Sequence, residues 1–459
     1  MIHCYKNNGY NIIIDANSGA VHSVDDLAYD VISLYENTPK DEIIVRMLEK
    51  YRDNPQVDEI EIREVFEDIE ELKYENKLFS EDIYENIAID FKNRVSVIKA
   101  VCLHIAHDCN LACKYCFAGK GEYNGERSLM SFEVGKAALD FLIKNSGTRK
   151  NLEVDFFGGE PLLNFDVVKK IVAYGREQEA LHNKEFRFTL TTNGVLLDDD
   201  IMEFANREMA NVVLSLDGRK EVHDRLRVSR GGKGSYDLIV PKFKRMTELR
   251  GDREYYIRGT YTHYNTDFSK DILHMADLGF RELSMEPVVS SPDEPYALTE
   301  EDVPKLLDEY DTLASEMLRR KKTGEGFTFY HYMIDLESGP CIIKRISGCG
   351  VGVEYLAVTP EGELYPCHQF VGNRDYRMGN VFDGVTNTGL QDKFKLCNVY
   401  AKEKCKDCFA RFFCGGGCAA NSLHSSGDIN GTYEIGCVLH RKRIECAVML
   451  KVAEAFPKE

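Results

Sequence analysis

Apolar positions recur in two rhythms along this chain. Between residues 101 and 286, short apolar runs (101–106, 152–157, 186–191, 211–216, 255–261 and 282–286) alternate with longer amphipathic stretches near 131–145, 165–181, 198–206, 235–249 and 268–278. The short runs read as buried strands, and the longer stretches, with apolar residues every three or four positions, read as helices. Strand and helix in regular alternation predict an α/β fold with a parallel sheet and right-handed crossovers. Ahead of it, residues 10–14 and 20–23 flank the turn Asn17-Ser18-Gly19 and predict a hairpin. Three small helices follow. Ser23, with Asp26 three residues on, is the expected cap of the first, whose apolar face is Leu27, Val31, Ile32 and Leu34. Thr38-Pro39 opens the second, and the third begins near Asp58. After about residue 320 the periodicity fades and cysteines dominate. The chain therefore divides into residues 1–90, 91–320 and 321–459.

Composition narrows the function. The net charge of −18 lacks the basic surface that nucleic acid needs and better suits a basic or cysteine-rich peptide. No apolar run approaches the roughly 20 residues of a membrane span, and Met1-Ile2-His3-Cys4-Tyr5-Lys6 lacks the apolar core of a signal peptide. A cytoplasmic protein with no membrane partner is expected. Its 15 cysteines then point to metal or redox chemistry, since disulfides are uncommon in a reducing compartment, and oxygen-sensitive sites suit an anaerobe.

Spacing sharpens this. Cys109-x3-Cys113-x2-Cys116 follows the first strand directly. Three thiolates leave one corner of a 4Fe–4S cluster open, where a small molecule can bind iron and receive an electron; structural zinc normally takes four protein ligands. Gly158-Gly159-Glu160-Pro161 ends the second strand, with glycines that permit close backbone approach and a Glu that can accept from an ammonium. Thr192-Asn193-Gly194 ends the third and Ser215-Leu216-Asp217-Gly218 the fourth. Arg227 follows in His223-Asp224-Arg225-Leu226-Arg227; its planar guanidinium suits a carboxylate. Met285-Glu286-Pro287 ends the sixth. Ten cysteines lie beyond residue 320. Eight of these form one scheme: Cys349-x12-Gly362-x4-Cys367, then Cys405-x2-Cys408-x5-Cys414-x3-Cys418, then Cys437 after eighteen intervening residues, with Cys341 upstream; two zinc ions in a double ribbon are the alternative occupants.

The early cysteine loop and the GGEP sequence resemble the radical S-adenosylmethionine (SAM) superfamily. The late cysteines resemble its SPASM extension, and residues 1–90 resemble a winged-helix peptide-recognition domain. Together the chain resembles the thioether (sactionine)-forming maturases of cysteine-rich SCIFF peptides. This resemblance implies a partial (β/α)6 TIM-like barrel with chemistry at the C-terminal strand ends. It assigns Cys109, Cys113 and Cys116 to the SAM-binding cluster. Tyr115 and Met285 are placed by the adenine, Gly158, Gly159 and Glu160 by the amino group, Asn193 in the same site, Ser215 on the ribose and Arg227 on the carboxylate. Cys349, Cys367 and Cys418 go to auxiliary cluster I, and Cys405, Cys408, Cys414 and Cys437 to auxiliary cluster II, for three 4Fe–4S clusters in all. Cluster I is closed by Cys341 or open to a substrate thiol, while Cys397 and Cys446 are free core thiols.

In the implied reaction a 5′-deoxyadenosyl radical removes hydrogen from an acceptor α-carbon, a substrate Cys sulfur bonds to that carbon, and an auxiliary cluster takes the surplus electron. His368, beside Cys367, is the candidate to deprotonate the thiol. The implied partners are a ribosomal precursor peptide, its leader added as a strand to the N-terminal sheet, and an electron donor such as flavodoxin or ferredoxin. One alternative is an anaerobic sulfatase maturase forming formylglycine, but that family has Asp where this chain has His368. Another is a non-catalytic multi-cluster electron carrier, which would have no use for SAM contacts.

Overall fold

The first strand is one that the apolar pattern does not announce. In the computed structural model, which describes residues 1–123, 125 and 127–458, β1 (Ile2–Asn7), β2 (Tyr10–Asp15) and β3 (Val21–Val24) form an antiparallel sheet in that order. Asn8 and Gly9, with φ of 48° and 79°, supply the left-handed pair that a two-residue hairpin turn needs. The predicted hairpin is thus the second half of a three-stranded sheet. α1 (Asp26–Leu34), α2 (Lys40–Lys50) and α3 (Glu59–Tyr74) pack on it. The cap of α1 is Asp25, whose carboxylate accepts from Ala28 N at 2.8 Å. Ser23 is instead committed to the β3 ladder, opposite Ile12.

β2 buries both of its faces. Ile13 joins a small core with Leu27, Val31, Ile43, Met47, Ile62 and Phe66, whereas Ile12 and Ile14 belong to the main core. Tyr5 and Tyr10 donate hydroxyl hydrogen bonds to the carbonyls of Glu445 and Phe456, at the far end of the chain.

A short helix, α4 (Glu85–Ile89), leads into the body of the fold. The six expected strands are all present: β4 (Ala100–Ala106), β5 (Asn151–Gly158), β6 (Glu185–Thr192), β7 (Asn211–Ser215), β8 (Tyr255–Tyr261) and β9 (Glu282–Pro287). Each pairs in parallel with the next. Their crossovers run through α5 (Phe132–Asn145), α6 (Phe165–His182), α7 (Asp199–Glu208), α8 (Lys220–Leu226), α9 (Tyr236–Arg250) and α10 (Phe268–Asp277). Alternation sorts the β5 side chains: Leu152, Val154 and Phe156 are fully buried, while Glu153, Asp155 and Phe157 keep partial access on the other face.

The sheet continues at both ends. β10 (Thr328–Phe329) pairs with β9. β11 (Tyr355–Val358) runs parallel to β4, and β12 (Glu363–Tyr365), β13 (Gly379–Asn380) and β14 (Gly384–Val385) extend it antiparallel. The late cysteine region is therefore built onto the same sheet, and position 320 falls inside α11 (Val303–Thr323). Short helices carry or flank the late cysteines: α12 (Ile342–Ser347), α13 (Thr388–Leu396), α14 (Glu403–Lys406), α15 (Arg411–Cys414) and α16 (Ala419–Ser426). Cys437 lies in the first turn of the long final helix, α17 (Glu434–Ala455). Among the described residues no helix is long and apolar enough to cross a membrane.

Candidate cofactor and active site

The C-terminal ends of β4 to β9 surround a cavity of about 250 Å³. Cys109, Cys113 and Cys116 line it from the loop after β4, Glu160, Asn193 and Ser215 from the ends of β5, β6 and β7, and Arg227 from the end of α8. The two glycines before Glu160 set how near β5 comes to the cysteine loop. Gly158 has φ of 116°; a Cβ there would lie 2.5 Å from the Ala106 carbonyl, and one on Gly159 only 2.1 Å from that of Asp108. In exchange, Gly159 N donates to Ala106 O and Glu160 N to Asp108 O, both at 2.8 Å.

Glu160 is 1% exposed. Its Oε1 accepts from the Thr192 hydroxyl at 2.7 Å and Leu162 N at 3.1 Å, and its Oε2 accepts from Asn193 N at 2.8 Å. Burial raises its pKa to about 7 against the pull of these bonds. A cationic amino group beside it would restore the ionised form. Asn193 Nδ2 donates to Asn110 Oδ1 at 2.7 Å and to Cys109 Sγ at 3.6 Å, so this residue braces the cysteine loop.

Asp217, to which the sequence reading gave no role, organises the opposite wall. It is 1% exposed and accepts from Tyr115 OH at 2.7 Å, Arg227 Nε at 3.0 Å and Thr260 N at 3.0 Å. It thereby fixes the two residues expected on the adenine and the carboxylate. The signal was present in Ser215-Leu216-Asp217-Gly218, an acid at a strand end followed by a turn glycine with φ of 106°.

Met285 is not on the cavity wall: it is fully buried in the core, close enough that a Cβ on Gly259 would meet its methyl at 2.8 Å. Alternation along β9 turns Glu286 to the cavity instead. Burial alone would raise the Glu286 pKa, but His331, Arg443 and Arg258 outweigh it and hold the carboxyl at about 2. His331 Nε2 is 3.2 Å from Glu286 Oε1, and Arg443 is 3.6 Å from Oε2.

The late cysteines form two sets. Cys405, Cys408, Cys414 and Cys437 line one small cavity of about 60 Å³. Burial first, and then their mutual repulsion, raises Cys414 to about 12; burial likewise raises Cys405 to about 11. Cys349, Cys367 and Cys418 lie near enough to perturb one another: burial raises Cys367, with Cys418 and Cys349 adding to it. Thiols that crowd in this way are costly to ionise alone and are readily ionised by iron. Among the described residues no three Cys, His, Asp or Glu side chains converge on a single-ion site; four-iron clusters are held by thiolates such as these.

Comparison with known proteins agrees with this donor chemistry. Residues 103–279 match the radical SAM superfamily, and residues 349–409 match the SPASM iron-sulfur cluster-binding domain. The chain carries a radical SAM domain followed by a SPASM domain. It is 26% identical over 337 residues to a cysteine-type anaerobic sulfatase-maturating enzyme of Clostridium novyi, spanning 68% of this chain and 86% of that one. Its fold is similar to that of native anSMEcpe with bound AdoMet, with a TM-score of 0.65 and 21% identity over 78% of this chain and 100% of that one. It is also similar to Streptococcus suis SuiB bound to the precursor peptide SuiA, with a TM-score of 0.54 and 16% identity over 94% and 97% of the two chains.

Within the SPASM segment, His368 reaches the radical SAM cavity. Its ring lies 5.1 Å from that of Phe157 and 5.6 Å from that of Phe117. Burial, reinforced by Arg258, lowers its pKa to about 4 and leaves a neutral imidazole. The spare thiols are less symmetric than their spacing suggests. Cys341 is exposed, at the N-cap of α12. Cys397 is half-buried, donates to Ile429 O at 3.3 Å, and lies near Cys349 and Cys418. Replacing Cys341 with alanine is therefore expected to leave iron content unchanged, on the order of 12 atoms per chain. Loss of about four in an iron assay would instead make it a permanent ligand.

Proposed function

We propose that this protein installs a thioether between a cysteine sulfur and the α-carbon of an acceptor residue in a ribosomally made precursor peptide. The observation that carries this reading is the composition of the cavity wall. The radical SAM cysteines and His368, next to the auxiliary ligand Cys367, face the same 250 Å³ space. A substrate there lies within reach of both. When bound, the SAM cluster supplies the hydrogen-abstracting radical, and the auxiliary clusters take up the electron released as the carbon–sulfur bond forms. Glu160 and Arg227 offer an acceptor and a cation to an amino acid's two charged groups. Asp217 holds Arg227 by Nε, leaving its terminal N–H groups for a carboxylate. His368, neutral and walled by aromatic rings, is placed to receive the thiol proton.

The N-terminal sheet is the proposed leader site. β3 is an outer strand, available for a peptide to extend. Residues 1–90 hold 22 Asp and Glu against 8 Lys and Arg, or −14 of the chain's −18, which favours a basic leader. Alternate residues of an antiparallel strand point their N–H outward, so one of His22→Pro and Ser23→Pro removes an outward donor while sparing the pairing with β2. That variant is expected to bind the leader about tenfold more weakly with basal SAM cleavage unchanged. Equal affinities by fluorescence anisotropy in both variants would remove β3 from the reading.

The deciding experiment is coexpression with the peptide encoded beside this protein, followed by tandem mass spectrometry. Each thioether removes two hydrogens and one alkylatable thiol. A hydrazine-reactive aldehyde in place of a cysteine would favour formylglycine formation, the reaction class of the sulfatase-maturating relative.

A further inference from the structure

Lys402 is 2% exposed, although its side chain is long and ends in an amine. Its ammonium donates to Ser422 Oγ at 2.9 Å and to the Gly431 carbonyl at 3.0 Å. Both partners are neutral. Among the described residues no carboxylate lies within ion-pair distance of it. A buried ammonium with no counter-charge is costly, so its position requires negative charge from another source.

The surrounding chain is made of cluster ligands. Lys402 lies three residues before Cys405, and Cys405 N donates to its carbonyl at 2.9 Å. Ser422, which fixes the ammonium, donates its own backbone N–H to Cys418 O at 2.9 Å. The lysine stem passes 3.7 Å from where a Cβ on Gly416 would stand, within the Gly415-Gly416-Gly417 turn that joins Cys414 to Cys418. The side chain thus spans from the Cys405 loop of one cysteine set to the Cys418 helix of the other.

We infer that Lys402 is a shared counter-ion of the two auxiliary iron–sulfur clusters, which makes each of them easier to reduce. This rests on the reading of these cysteines as two 4Fe–4S sites. A cluster held by thiolates is anionic and becomes more so on reduction, and nearby charge is among the factors that set its potential. A fixed cation between two such clusters favours the reduced form of both. It also supplies the charge balance that the protein's carboxylates do not.

The test uses the reconstituted full-length enzyme and three substitutions, Lys402→Met, Lys402→Gln and Lys402→Arg. Iron assay comes first. Wild-type protein with iron for only the SAM cluster would overturn the two-cluster reading itself. With iron complete, redox titration followed by electron paramagnetic resonance is expected to show both auxiliary potentials shifted negative in Lys402→Met and Lys402→Gln. The Arg variant should stay near wild type, and the SAM cluster should be unmoved in all three. Unshifted auxiliary potentials in an iron-replete neutral variant would overturn the counter-ion role. If the neutral variants fail to hold auxiliary iron while Lys402→Arg holds it, charge is required for assembly and the inference stands. If all three fail alike, the requirement is for the lysine's shape and the inference falls.

Discussion

Replacing Cys113 with alanine is expected to abolish 5′-deoxyadenosine formation and to lower iron by about a third, from on the order of 12 atoms to on the order of 8. Cys113 is one of three thiols on the loop after β4, and all three are needed to hold a cluster with one open corner. Burial, with Cys116 adding, raises its pKa to about 11 even though Arg227 draws it down, so without iron this thiol stays protonated. The auxiliary sets draw on residues from Cys349 onward and share no side chain with this loop. Their iron should survive, and thermal melting should be little changed. The measurement is chromatographic detection of 5′-deoxyadenosine under reducing, anaerobic conditions. Undiminished SAM cleavage would contradict the assignment.

Asp217→Asn is expected to act on the same reaction without touching iron. The carboxylate accepts three hydrogen bonds, one from a guanidinium whose side chain is 13% exposed. Asparagine keeps the shape and removes the charge, leaving Arg227 buried without its counter-ion. Breaking such a pair from one side costs about 3 kcal/mol or more, visible as a lower melting temperature. Arg227 and Tyr115 also lose their fixed positions. Affinity for SAM should fall on the order of 10- to 100-fold, the range for a lost charge-assisted contact, with full iron content. Ser215→Ala, which deletes one neutral hydroxyl, should cost about tenfold or less. Unchanged SAM affinity in Asp217→Asn, measured by equilibrium dialysis, would reduce Asp217 to a structural brace.

What could be read in advance follows the physics of each signal. The six central strands are buried on the faces that count, so their apolar runs stand out, and all six were found where expected. The cysteine sets are legible because ligand spacing is a property of sequence. β1 escaped because Ile2-His3-Cys4-Tyr5-Lys6-Asn7 mixes polar and apolar side chains; its burial comes from α17, more than 400 residues away. Ser23 and Asp25 are both competent caps, and only the β3 ladder decides between them. The Met285 placement failed on parity, since one position along a strand exchanges cavity for core. Asp217 was invisible in its role because its partners come from three separate segments. The continuity of the sheet through β11 to β14 was hidden by strands of two to four residues, too short to carry a period.

β2 is a party wall. Its odd and even side chains are owned by different cores, and moving the strand by one residue would evict both tenants at once. A segment fixed in this way cannot be traded between proteins as a cassette. Truncating the first 90 residues would strip Tyr5, Tyr10, Ile12 and Ile14 from the body of the molecule, so the N-terminal sheet and the barrel should melt as one calorimetric unit. A lineage wishing to change its peptide could not shuffle in a new front end. If β3 is the leader site, its outer edge would have to be repainted residue by residue, with the wall left standing.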